Sequence, residues 1–123
     1  MIYLTMIFLH IIDDYCLQGI LASMKQRVWW IKQEGYKKKY KYDYVVALIM
    51  HSFSWAFMIM LPIAYKMSFD INALFCIALF INMLIHCIVD DLKANKNKIN
   101  LITDQTIHII QILITGIVFG GVK

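Results

Sequence analysis

Charge is missing from most of this sequence. Tyr44 to Tyr65 carries no formal charge, Ile71 to Val89 carries none, and Ile99 to Val122 carries only Asp104. Apolar runs of about 20 residues are long enough to cross a bilayer as helices, which excludes an ordinary water-soluble domain. Proline occurs once, at Pro62, and no low-complexity tract is present. Pro62 and the stretch to Asp70 mark the turn between the second and third runs. A glycine-rich phosphate loop, a nucleophile elbow and a paired-cysteine zinc motif are all lacking, so the common soluble nucleotide, serine-hydrolase and zinc-ribbon chemistries find no support. Cys16, Cys76 and Cys87 are odd in number and lie in apolar surroundings. They fit packed free thiols rather than a disulfide framework.

What is present is apolar: 61% of the 123 residues are hydrophobic. The length suggests one domain. The three uncharged runs and an N-terminal apolar stretch predict an all-α, four-helix transmembrane bundle, with spans at about 1–22, 44–65, 71–92 and 99–122. A cleaved signal peptide fits residues 1–22 poorly. No basic residue precedes the apolar run, and no clean small-residue cleavage site follows it.

The twelve Lys and Arg residues are placed unevenly. Lys25, Arg27, Lys32, Lys37, Lys38, Lys39 and Lys41 lie between the first and second spans. Lys93, Lys96 and Lys98 lie between the third and fourth. The other ends carry only Lys66 and Lys123. Basic short loops stay cytoplasmic, so both termini are expected outside. Trp29, Trp30, Tyr36, Tyr40, Tyr42 and Tyr44 interleave with the first basic cluster, as aromatics do at headgroup level. Residues 25–34 are therefore expected to form a short interfacial helix on anionic lipid headgroups. No nucleic-acid partner is expected.

The polar exceptions inside the spans form a pattern. His10, Asp14 and Gln18 are four apart and share a helical stripe, with Asp13 about 60° away. His86 and Asp90 are four apart, with Lys93 continuing the face. Asp104 and His108 repeat the spacing, with Gln111 following. His51 precedes Ser54 in the second span. Under the expected topology these groups sit roughly 3–12 Å from the inner ends of their helices, at about 1.5 Å per residue. Each aspartate near a helix centre costs on the order of 2.5–3.5 kcal/mol to insert, so such groups face the interior and have partners. Those partners are one another as helix glue, a proton relay, or a metal ion. Imidazole and carboxylate donors suit zinc first, with manganese or iron as alternatives. His10, Asp14, His51, His86, Asp90, Asp104 and His108 suffice for one or two ions. The H-x3-D pattern followed by a basic loop occurs twice, which suggests two parallel repeats.

The motifs H-x3-D-x2-LQ at His10, Asp14, Leu17 and Gln18, H-x3-D-x2-K at His86, Asp90 and Lys93, and DQ-x2-H at Asp104, Gln105 and His108 span nearly the whole chain. Together they resemble a family of small bacterial and phage membrane proteins known only as a domain of unknown function. More distantly the chain is similar to inner-membrane proteins taken to be metal-dependent hydrolases. That resemblance implies the same histidines and aspartates as ligands, in a bacterial or phage-infected cell's cytoplasmic membrane. The acids are doubled at Asp13–Asp14 and Asp90–Asp91, so either member of each pair is a candidate ligand.

Three functions remain open from sequence. The first is a metal-dependent hydrolase of a lipid-linked or phosphate-bearing anion. Asp13 or Asp91 would serve as general base, and Gln18, Lys25, Lys93 and Gln105 would hold the substrate. The second is a metal-ion or proton transporter, for which Thr5, Asn82, Gln111 and Thr115 are the few polar groups of the outer half. The third is a non-catalytic membrane interaction protein. Four short helices bury little interior, which leaves a homo-oligomer open.

Overall fold

The computed structural model describes residues 1–33 and 41–121. The expectations for Tyr36, Tyr40, Lys37, Lys38, Lys39 and Lys123 lie outside the described residues. Among those described the regular structure is all helical: α1 (Ile2–Ile12), a π-helical turn (Asp13–Leu17), α2 (Leu21–Met24), α3 (Arg27–Ile31), α4 (Asp43–Lys66), α5 (Ala73–Ala94) and α6 (Leu101–Val118). The helices α4, α5 and α6 are long and apolar enough to cross a membrane. Helix α4 packs on α1 and α5, and α6 packs on α5 and α1, which closes a ring.

Local chemistry sets the element ends. Asn72 and Asn100 cap α5 and α6, accepting from the backbone N–H of Phe75 and Thr103 as N-cap residues do. Pro62, expected to mark a turn, lies inside α4. The reversal comes later, where Ser68 and Phe69 take positive φ angles of 52° and 60° and the Phe69 N–H returns to the Ala64 carbonyl. The first helix differs most from expectation. It does not continue evenly to Ala22 but widens into the π turn and breaks at Gly19, whose φ of +46° a side chain would resist. Ile2–Leu17 covers about 24 Å at ~1.5 Å per residue, short of the ~30 Å hydrocarbon core.

The exterior is apolar. Ile49, Phe53, Phe57, Ile81, Ile85 and Ile114 are all exposed, a surface that matches hydrocarbon rather than water. The interior has two storeys. Met6, Trp55, Ile59, Met60, Ile63 and Ile112 form a fully buried apolar storey. The histidines and aspartates fill the other. Asn95 locates that second storey: its side chain accepts from the Arg27 N–H and donates to the Lys25 carbonyl. The segments after α1 and after α5 therefore meet at one end of the molecule, with Lys25, Arg27, Lys93, Lys96 and Lys98. Lys66 lies at the opposite end, donating to the Phe119 and Gly120 carbonyls.

Candidate metal centre

All four histidines are buried: His10 is 1% exposed, and His51, His86 and His108 are each 0% exposed. They come from α1, α4, α5 and α6, one from each wall of the ring. Asp90 and Asp104 are buried as well, while Asp14 retains slight exposure.

The four histidines are not equivalent, and their neighbours decide which nitrogen carries the proton. A tryptophan indole can only donate, and Trp55 Nε1 lies 2.6 Å from His10 Nδ1. His10 therefore holds its proton on Nε2, 3.1 Å from Gln105 Oε1. Gln105 agrees independently, because its amide nitrogen faces oxygens of Asp104 at 3.0 Å and Asp14 at 3.4 Å, which only accept when ionised. A directed chain runs from Trp55 through His10 and Gln105 to two carboxylates. Both ring nitrogens of His10 are thus engaged by protein.

His108 is set up the opposite way. Gln111 donates its amide N–H to the backbone carbonyl of Asn82 at 3.1 Å. Its Oε1 is left 3.2 Å from His108 Nδ1, which must therefore carry a proton. In the neutral ring Nε2 is then a lone pair. It faces Asp104 Oδ1 at 3.5 Å and Asp90 Oδ1 at 3.7 Å. With the ring neutral, three electron-rich atoms converge with no donor among them. Among the described residues the buried polar side-chain atoms without a hydrogen-bond partner are His108 Nε2, Asp104 Oδ1, His51 Nδ1 and His86 Nδ1. All four residues belong to this cluster, His108 and Asp104 by the orphan atom itself and His51 and His86 through the opposite ring nitrogen, Nε2. Native interiors rarely leave such groups unpaired.

His51 Nε2 lies 3.1 Å from His86 Nε2, 2.8 Å from Asp90 Oδ2 and 3.6 Å from Asp14 Oδ1. His86 Nε2 is 3.6 Å from Asp90 Oδ2. Donor atoms held ~2.0–2.2 Å from one tetrahedral ion stand about 3.3 Å from each other, so these separations suit ligands with an ion between them. Two overlapping groups could hold a metal ion: Asp14, His51 and His86, and His86, Asp90 and His108. The aromatic rings form a triangle: His86 stacks on His108, at a centroid distance of 4.1 Å, and on Trp55, at 4.2 Å, while Trp55 and His108 stand 5.2 Å apart.

The remaining expected residues divide. Lys25 is 8% exposed and turns inward, its Nζ 2.5 Å from Asp90 Oδ2 and 2.8 Å from His51 Nε2. Lys93 donates to Asp104 Oδ2 at 2.5 Å. Asp13 is fully buried and accepts from Ser54 at 2.7 Å and from Gln18. The even helical stripe put Gln18 beside Asp14. The π turn places it on Asp13 instead, five residues back, because its hydrogen bonds run i to i+5. Asp91 stands apart, accepting from Asn95 at 3.0 Å and pairing with Lys96 at 2.7 Å. That pairing raises the pKa of the exposed Lys96 ammonium. The doubled repeat also diverges, since α5 stays regular where α1 widens.

Sequence reasoning passed over Trp55, although it follows His51 by four residues and so shares its face. Trp55 is also the one tryptophan within an uncharged run. Asn95 gave no comparable signal, because its role depends on two loops meeting. No protein-family model, curated protein or solved structure matches the chain.

Proposed function

We propose that this chain is a four-span membrane protein with both termini outside and a divalent-metal centre reached from the cytoplasmic face, and that it hydrolyses a phosphate-bearing, lipid-linked substrate. The observation that carries the metal reading is the convergence of His108 Nε2, Asp90 Oδ1 and Asp104 Oδ1 with, for a neutral ring, no donor between them among the described residues. His51, His86, His108, Asp14, Asp90 and Asp104 are the ligand set. His10, Gln105 and Gln111 orient it, as outer partners of metal-binding histidines and carboxylates do. A zinc, manganese or iron ion bound there supplies Lewis acidity and a more acidic water. Asp13, held by Ser54 and Gln18 beside Asp14, is the candidate general base; Asp91, paired with Lys96, is the weaker one.

The topology rests on charge. The end bearing Lys25, Arg27, Lys93, Lys96 and Lys98 is the cytoplasmic one under the positive-inside rule. Substrate chemistry rests on the surroundings of the polar storey. Lys93, with 27% of its side chain exposed, stands at the edge of the cluster. A groove of about 500 Å³ runs along α6 past Leu101, Ile102, Thr106 and Ile109 to Gln105, which touches Asp14 and Asp104. An apolar tail suits that groove while its phosphate meets the lysines. A larger groove, about 690 Å³, lies at the Lys66 end, away from the histidines.

A transporter is the second reading. Against it stands the apolar storey of Trp55, Ile59, Met60, Ile63 and Ile112 between the cluster and the Lys66 end. Asn82, Gln111 and Thr115 bond to one another there rather than lining a path. The test is phosphate release from isoprenoid and glycerol phospholipid phosphates by metal-loaded protein in vesicles, beside metal flux across the same vesicles. Metal-dependent release without flux supports the hydrolase. Flux without release overturns it.

A further inference from the structure

We infer that Lys25 stands in for a second cation, so that the centre takes one divalent ion where its donors would otherwise hold two. This deepens the metal reading above and rests on it. The donor set divides around Asp90. Its Oδ1 faces His108 Nε2. Its Oδ2 faces His51 Nε2 at 2.8 Å and His86 Nε2 at 3.6 Å. A carboxylate placed this way bridges two cation positions, as in two-metal sites whose ions stand about 3.5–4 Å apart. Only the Oδ1 side lacks a donor. On the Oδ2 side the Lys25 ammonium sits 2.5 Å from the oxygen and 2.8 Å from His51 Nε2, where an ion shared by Asp90 and His51 would be.

The chain builds this placement deliberately. The π turn ends at Leu17, the chain breaks at Gly19, and α2 leads to Lys25 at its end, which turns toward the interior. Asn95 clamps the Lys25 carbonyl and the Arg27 N–H to the end of α5. The Trp30 indole holds the Met24 carbonyl at 2.7 Å. Lys25 is therefore fixed from both sides, unlike a lysine reaching freely for the headgroups.

Charge agrees. Lys25 pairs with Asp90 and Lys93 with Asp104, Asp14 lies beside them, and Asp13 is held apart by Ser54 and Gln18. Two divalent ions beside both ammonium groups would set six positive charges against three carboxylates in low-dielectric surroundings, which is costly.

Manganese titration of metal-free protein in detergent micelles tests this, with bound metal counted after desalting and its EPR spectrum recorded. The wild type is expected to bind about one equivalent with an isolated-ion spectrum. Lys25→Met, and Lys25→Gln as a polar replacement, are expected to bind about two, with the broadened signal of a coupled pair. Lys25→Arg keeps the positive charge and is expected to stay at one. Two equivalents in the wild type, or one in both neutral variants, overturns the inference while leaving the metal reading intact. No manganese in any of the four proteins overturns both.

Discussion

His108 Nε2 and Asp104 Oδ1 face each other across 3.5 Å, both buried, with no hydrogen bond between them. The residues are four apart on α6, so the helix itself presents them side by side. What makes the pair informative is Gln111 on the far side of the ring. By accepting a hydrogen bond from the His108 Nδ1–H, its amide oxygen leaves the Nε2 lone pair toward the carboxylate. With the ring neutral such an arrangement is poor glue, because glue needs a donor. It is well suited to a cation.

Gln111 should therefore control metal affinity without touching metal. Gln111→Leu removes the acceptor for the His108 Nδ1–H, and a loss of roughly 10–100-fold in zinc affinity is expected. Gln111→Glu restores an acceptor and should recover most of that loss. Competition with a chromophoric chelator measures both.

The histidines should separate into two classes. His86→Ala and His108→Ala are expected to abolish stoichiometric metal. His10→Gln is expected to keep the stoichiometry and lower affinity by roughly 10–100-fold, since His10 is engaged at both nitrogens by Trp55 and Gln105. Elemental analysis of the three purified variants distinguishes the classes. Equal loss in all three would contradict the division.

Trp55→Phe tests the head of the directed chain. It keeps a ring against His86 but removes the Trp55 donor to His10 Nδ1. A destabilisation of about 1–3 kcal/mol is expected from the orphaned acceptor, read as a shift in the unfolding midpoint in mixed micelles.

Much of this site was legible before any coordinates. The four-residue spacing of His86 with Asp90, and of Asp104 with His108, survives directly because α5 and α6 are regular helices. The apolar runs of α4, α5 and α6 were legible for the same reason. The first helix was less so. Two adjacent aspartates in an apolar run gave no hint that the backbone would widen to five-residue hydrogen bonds, and that widening moves Gln18 from Asp14 to Asp13. Lys25 was legible as a basic residue near a span end, but its inward turn depends on Asn95, 70 residues away. Contacts between separate loops leave no periodic trace in a sequence.

The Tyr3 ring of α1 lies over Gly116 of α6, and a Cβ there would clash with Tyr3 Cε1. Gly116→Ala is expected to destabilise the ring by about 1–3 kcal/mol through overpacking, and Tyr3→Ala in the same chain should recover part of it. Unfolding midpoints of the two single variants and the double variant complete the cycle.

The central claim is that imidazoles and carboxylates from separate helices close on one ion. X-ray absorption on zinc-loaded protein tests it most directly. The account predicts only nitrogen and oxygen neighbours at about 2.0–2.2 Å, with the outer scattering of imidazole rings. A sulfur shell near 2.3 Å, or zinc that washes away to leave none bound, would contradict it.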